Sequence, residues 1–514
     1  RRLLPPWRSF STGDKKAKKA KKAEEIEVDV LPVPLADRTR PVSVAPPLGI
    51  LARTVPKTAG SYFVTATGAS PDSLLHMGHA HEAVLADVCA RFARMSGKEV
   101  MLQTGADEHG ERVAFAAKAA NLAPLELCDR YSQRVRCLSE RLAIASDDFV
   151  RTTSSQHGSV AEDLWRRCEA SGDIYLGTYT GWYNIREERF VNETEALENG
   201  FVDPISADAL VRIDGDESYL FRLSRYADAV IELLEHTEFL APERCREEIL
   251  QRLRRTPLQD IPISRVALSW GLPCPGPGHT MHVGFEGLAR YLSGCSVWPS
   301  DLHVVGRDVA WQHAVVWPAL LMSAGLGLPR RVWAHGVVLG DDRRIMTACL
   351  GNTLSPHDIL DVVPADTLRW YLIRAGGGDF QFSEAEMKRL HDVELRGLGN
   401  IVTRAMMLSA RFCKGRLPDV DIVGPFPFDL ASLRTKVERS MQDLQLATAA
   451  GALVEATAAT EDWLTGLEPW KMDEARRQPI LRVLFEAVFA LAHLHAAFTP
   501  TVADAIVGKF TSPV

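Results

Sequence analysis

The sequence predicts an α/β protein: a doubly wound parallel sheet, interrupted by an insertion and followed by an α-helical bundle. Tyr62–Thr67 is a short β-prone run. After the turn His76-Met77-Gly78-His79 the apolar period changes from two to about 3.6, with Val84, Leu85, Val88, Cys89, Phe92 and Met95 on one helical stripe. Gly97 stands where a helix ends, and Lys98–Gln103 reads as the next strand, so the stretch is a βαβ unit. At the far end, everything after about Asp429 reads as helix, and Ile480–Leu494 is apolar nearly all round, as in the core of a bundle.

The turn of this βαβ unit lies at a helix N-terminus, where unpaired N–H groups and the helix dipole favour an anion such as phosphate. His76 and His79 add imidazole donors, and Gly78 lets a ligand approach the backbone. The competing reading is a turn with two incidental histidines.

Composition bounds the rest. The 514 residues suffice for about three domains, and 46% hydrophobic with 24% charged residues matches an ordinary globular protein. Ala314–Leu328, the longest apolar run, is too short for a membrane span of about 20 residues, so no span is expected. Residues 1–22 carry nine Lys or Arg and one Asp, a net +8, which leaves −15 for the remainder of a chain whose net charge is −7. An acidic body excludes indiscriminate nucleic-acid binding but allows local basic patches. Nine single cysteines with no Cys-x-x-Cys argue against a zinc site or a disulfide framework, and no metal site is assigned. The Arg- and hydroxyl-rich start, acid-free before Asp14, has transit-peptide composition and predicts the mitochondrial matrix. Lys15–Lys22 is a polybasic run, read as a solvated tail.

In order, residues 1–60 are a targeting and basic segment with a proline-rich extended lead-in, and 61–153 the first half of the sheet domain, with a helix at Leu125–Leu142. Residues 154–265 are the insertion, helical over Trp165–Ile174 and then strand-like over Tyr175–Val211. Residues 266–388 are the second half, with strands at Val266–Trp270, Asp301–Val305 and Val332–Val338 around a helix at Val309–Ala324. Residues 389–514 are the helical domain.

These residues resemble the class I aminoacyl-tRNA synthetases, in particular methionine–tRNA ligases of bacterial and mitochondrial type. The tetrad His76–His79 is similar to the family's H-I-G-H signature. Thr104–Gly110, Phe149–Thr153, Gly181–Tyr183, Tyr219–Ser224, Ile263–Arg265, Val305–Asp308 with His313, Ala334–Gly336, Leu350–Asn352 and Pro469–Lys471 follow in family order. The resemblance implies a Rossmann-type core, a connective-peptide insertion without zinc cysteines, and an anticodon-binding-like helical domain. It also implies ATP with Mg as co-substrate if activity is retained; no resident cofactor is assigned. On this resemblance His76, Gly78, His79, Gly306 and Asp308 are the ATP-side residues.

Two departures bear on chemistry. Such enzymes position substrates and stabilise charge developing on phosphate. Where the family has a mobile K-M-S-K-S loop, this chain has Ile345-Met346-Thr347-Ala348-Cys349, and both lysines are missing. Arg343 and Arg344, just upstream, are out-of-register candidates to replace one of them. In the amino-acid pocket Ser70 and Gly284 stand where the family has Tyr and Trp, while Tyr291 and His313 remain. At the anticodon end Asn400, Arg404 and Trp470 match, but Glu461 replaces an asparagine.

The combined expectation is a methionine–tRNA ligase-like mitochondrial protein without aminoacylation activity. It would serve as a structural or binding component of a larger assembly such as the mitochondrial ribosome, with other mitochondrial proteins as partners and tRNA or rRNA as candidate ligands. The competing expectation is a working mitochondrial methionine–tRNA ligase with divergent loops; a third is a nucleotide- or tRNA-binding regulator.

Overall fold

The computed structural model describes residues 60–266, 268–294 and 297–511. The targeting segment and lead-in expected for residues 1–60 lie outside these, apart from Gly60. β1 (Ser61–Ala69) is buried at Phe63 to Ala66 without alternation, as a central parallel strand covered on both faces must be. α1 (Met77–Met95) crosses over to β2 (Glu99–Ala106), and β3 (Asp148–Arg151) follows. The chain then leaves for β4 (Ile174–Asn184), β5 (Arg189–Val191) and β6 (Val211–Phe221), antiparallel neighbours in a small second sheet. β7 (Leu240–Ala241) returns to the main sheet, β8 (Ile261–Pro262) completes the small one, and β9 (Ser264–Arg265) pairs with β10 (Thr280–Met281). β11 (Leu302–Gly306) and β12 (Val332–His335) resume the core.

The main sheet has the order β3-β2-β1-β11-β12-β7, and every pairing in it is parallel. Strand order reverses between β1 and β11. Ligands of open α/β sheets bind in that crevice, beyond the carboxyl ends of the strands. The edge strand Leu240–Ala241 comes from within the stretch read as the insertion.

The C-terminal part of the fold is helical, with long helices at Arg396–Phe412, Leu446–Leu467 and Glu474–His495. It is not a loose appendage. The guanidinium of Arg369 reaches Asp87 of α1 and the carbonyls of Leu142, Ala497 and Phe498, all without solvent exposure of the two charged side chains.

Four expected elements differ. Val266–Trp270 forms no strand at its described residues. The segment instead docks on the 108–110 turn, with the Trp270 indole donating to the Glu108 carbonyl (2.6 Å) and Gly110 N–H to the Trp270 carbonyl (3.1 Å). The helix expected at Trp165–Ile174 runs Ser155–Ala170, because Ser154 caps it and Ile174 already belongs to β4. The helix expected over Val309–Ala324 contains a π-helical turn at Gln312–Val316 before Trp317–Ser323. Such turns redirect a helix face, here carrying His313 into the crevice. Val332–Val338 breaks at Gly336, which donates to the Gly377 carbonyl, and β13 (Val338–Leu339) pairs instead with β14 (Phe380–Gln381). Among the described residues no helix is long and apolar enough to cross a membrane.

Candidate functional site

A cavity of about 960 Å³ opens at the crevice. Its lining includes the ends of β1, β2, β11 and β12, the start of α1, the β4–β5 hairpin and the loop 345–349. His76, Gly78, His79, Gly306, Asp308, Ser70, Gly284, Tyr291, His313 and all five residues Ile345, Met346, Thr347, Ala348 and Cys349 line it. The residues singled out for the nucleotide, the amino acid and the signature loop therefore share one cavity.

The tetrad is a cap. Gly78 N–H donates to His76 Nδ1 (3.1 Å) and His76 N–H donates to His79 Nδ1 (3.2 Å), so the two imidazoles satisfy orphan donors at the start of α1. Burial holds both side chains below the usual histidine range, and for His76 the nearby His79 adds to this. With Nδ1 accepting, each ring carries its proton on Nε2, the nitrogen left to donate to an anion. The helix Val283–Ser293 starts the same way, with Gly284 N–H donating to His282 Nδ1 (3.1 Å).

The wall around Tyr291 and Arg290 is ordered by buried polar pairs. His313 Nδ1–H donates to the Val309 carbonyl (2.9 Å), so its Nε2 accepts from the Tyr291 hydroxyl at 2.7 Å. The Arg290 guanidinium lies 2.9 Å from Asp107 and donates to the Ala66 carbonyl. Glu286 bridges His157 (2.7 Å) and His109 (3.4 Å). Burial alone would raise its carboxyl, but the two imidazoles outweigh this and hold it low, at about 2. Glu82 binds His335 (3.3 Å) and both the N–H and the hydroxyl of Thr67. Asp107, Glu82, Glu286 and Arg290 went unnoticed as site residues. The signal available was their position within or beside the matching motifs, not any periodicity.

Charge is the feature that sets this cavity apart. Nine carboxylates and four arginines line it, and no lysine does. Each arginine is already paired: Arg112 with Asp72, Arg186 with Glu187 and Asp203, Arg189 with Glu187 and Glu195, and Arg252 with Glu195. Neither Arg343 nor Arg344 belongs to the lining. Arg344 turns to the Ile205 carbonyl (2.6 Å), and Arg343 sits in a left-handed turn at φ 59°. Met346 is buried and anchors the loop, which Asn352 stitches through Thr347 N–H and the Ile345 carbonyl. Ile205 itself lines the cavity, so Arg344 is held next to the lining without belonging to it.

At the helical end Arg404 lies over the Trp470 ring, 5.7 Å from its centroid, and Asn400 is exposed one turn earlier on the same helix. Arg404 also donates to Thr465 (3.1 Å) and sits 3.8 Å from Glu461. Among the described residues no group of three or more His, Cys, Asp or Glu is placed to hold a metal ion.

A doubly wound parallel sheet with a histidine-capped helix at its crevice, joined to a helical domain, is the architecture of a class I aminoacyl-tRNA synthetase. The family described as tRNA synthetases class I (M) matches residues 62–200 and 199–406. The methionine–tRNA ligase of Brucella melitensis is 32% identical over 477 residues, covering 88% of this chain and 92% of the relative. That of Mycobacterium tuberculosis (strain CDC 1551) is 38% identical over 378 residues, 70% of this chain and 72% of the relative. The crystal structure of Mycobacterium tuberculosis methionyl-tRNA synthetase bound by methionyl-adenylate superposes with a TM-score of 0.80 at 32% identity, over 87% of this chain and 93% of that one. The chain belongs to the methionine–tRNA ligase family.

Proposed function

We propose that this chain carries out its family's reaction, ATP-dependent attachment of methionine to tRNA, with a strongly attenuated activation step. The observation that carries this reading is an open cavity with its frame in place beneath a loop without cations. His76 and His79, the Gly306–Asp308 turn and the Tyr291–His313 pair line the cavity, while residues 345–349 bring no positive charge. The imidazoles donate to phosphate oxygens, and the helix dipole of α1 adds to their effect. Losing one positioned charge-stabilising donor costs roughly 3–4 kcal/mol of transition-state stabilisation, so loss of both lysines slows adenylate formation severely. With Gly284 and Ser70 in place of aromatic walls, grip on a thioether side chain is weaker too.

The test is methionine-dependent ATP–pyrophosphate exchange by the purified chain and by an Ile345→Lys, Ala348→Lys double variant. Slow exchange in the first, rising by at least about 10²-fold in the second, is expected. No exchange in either at high protein concentration removes the reading.

The excess of carboxylates in the cavity favours a second reading. A triphosphate entering a site with nine acids and only paired arginines is repelled, and a fold that has lost its site is free for other uses. On this reading the chain is a structural or binding component of a larger mitochondrial assembly, such as the mitochondrial ribosome, with tRNA or rRNA as its RNA contact. Sedimentation of the native protein from mitochondrial extract decides: migration in a large complex supports this reading and migration alone removes it.

A further inference from the structure

The helix Val283–Ser293 presents one face to the cavity. Gly284, Gly287, Leu288 and Tyr291, spaced as one helical stripe, all belong to the lining. The first two bring no side chain. A Cβ on Gly287 would meet nothing within 4 Å, and one on Gly284 would meet only the ring of its own capping residue, His282, at 3.1 Å. Gly284 stands where the family has a tryptophan. An aromatic side chain covers about 150–250 Å² of neighbouring surface, and here that wall is bare.

The surroundings of this gap are apolar and fixed. Leu223, Ile261, Trp311 and Val316 line the same cavity and pack with Leu288 and Tyr291 in one apolar cluster. Leu223 and Ile261 come from the stretch read as the insertion, whereas Trp311 and Val316 flank or end the π-helical turn. The Arg252 guanidinium lies over the Trp311 ring, 4.1 Å from its centroid. Tyr291 does not swing into the gap, because its hydroxyl is bound to His313 at 2.7 Å and the Arg290 guanidinium lies over its ring. At a rise of 1.5 Å per residue, a ligand side chain resting on Tyr291 must run about 6 Å along the helix axis to cover Gly287 and about 10 Å to cover Gly284.

We propose that this gap is a side-chain subsite by which the cavity prefers amino acids bulkier than methionine, with a longer or aromatic apolar side chain, and that Gly284 and Gly287 determine that preference. The proposal rests on the cavity taking an amino acid, as the ligase reading requires. A void beside a short ligand leaves its lining without contacts on one side, whereas each methylene that enters the gap leaves water and gains them. The same void accounts for the weakened grip on methionine, and a larger side chain restores the lost contact.

Isothermal titration of the full chain with methionine, ethionine, S-butylhomocysteine and S-benzylhomocysteine, without ATP or tRNA, tests this. Affinity is expected to rise about fourfold from methionine to ethionine and at least about tenfold to the two larger ligands. Gly284→Trp and Gly287→Leu refill the gap, and in each the gain is expected to vanish or reverse. Tightest binding of methionine to the wild type, no binding of any of the four, or a gain kept in both variants overturns the proposal. The wild-type series decides even if a variant fails to fold. Because the titration contains no ATP, it separates from the exchange assay above. Graded binding without exchange removes the reaction and leaves the subsite; exchange with methionine bound tightest removes the subsite and leaves the reaction.

Discussion

The guanidinium of Arg369 and the carboxylate of Asp87 lie 2.7 Å apart, and neither side chain reaches solvent. Asp87 sits on the helix that the histidine turn caps, whereas Arg369 precedes the helical domain and donates to carbonyls at its far end. Through this ion pair and the carbonyls it holds, Arg369 ties α1 to the helical domain. Asp87→Ala leaves a buried uncompensated guanidinium and is expected to lose about 3–5 kcal/mol in urea unfolding. Replacing both partners with apolar residues should cost less than Asp87→Ala alone; equal losses would show that the pair contributes only shape.

Acid should destabilise the cavity wall. Burial holds His76, His79, His282 and His313 below the usual histidine range. A group whose folded value is depressed binds fewer protons folded than unfolded, so stability is lost as pH falls below about 6.5. His335 opposes this: burial lowers it, but its bond to Glu82 prevails and raises it. A falling melting temperature from pH 7 to pH 5 is expected, with a shallower slope in His76→Asn, which keeps a capping acceptor. An unchanged slope would mean that the His76 cap does not titrate with folding.

Gly336 faces the backbone of Gly378 and Asp379, and a Cβ on it would stand 2.1 Å from the Gly378 carbonyl carbon. Backbone cannot swing aside as a side chain can. Gly336→Ala is expected to destabilise by about 3 kcal/mol or more and to displace the β13–β14 pairing. Gly287→Ala, with nothing within 4 Å of the added carbon, serves as the matched control and should be close to neutral.

Glu461 lies 3.8 Å from Arg404, which covers Trp470. If this face stacks an unpaired RNA base, freeing the arginine strengthens the contact. Glu461→Gln is expected to tighten tRNA binding several-fold in a filter assay at fixed salt, and Trp470→Ala to weaken it. Indifference of both variants would assign the tryptophan to core packing alone.

Much of this molecule was legible in one dimension. The switch from period two to period 3.6 around the tetrad announced a βαβ unit. The missing lysines at 345 and 348 are a plain reading of the chain. Local pattern served less well where tertiary contacts override it. Val266–Trp270 has strand composition, yet its tryptophan finds a better partner in the Glu108 carbonyl. The helix before Trp317 takes a π-helical turn that carries His313, whose Nε2 meets the Tyr291 hydroxyl.

Only the folded arrangement decided what the charges do. His76 and His79 looked like free phosphate ligands and prove to cap α1 through Nδ1, keeping only Nε2 to offer. Arg344 looked available and is turned to Ile205. Glu188 carried no sequence signal at all, and it lines the cavity while capping a helix 77 residues upstream at Glu111. Periodicity records which face of an element is buried, and so it reveals class and family. Pairing between distant charges depends on strand order and on the path of the insertion, which no local pattern encodes.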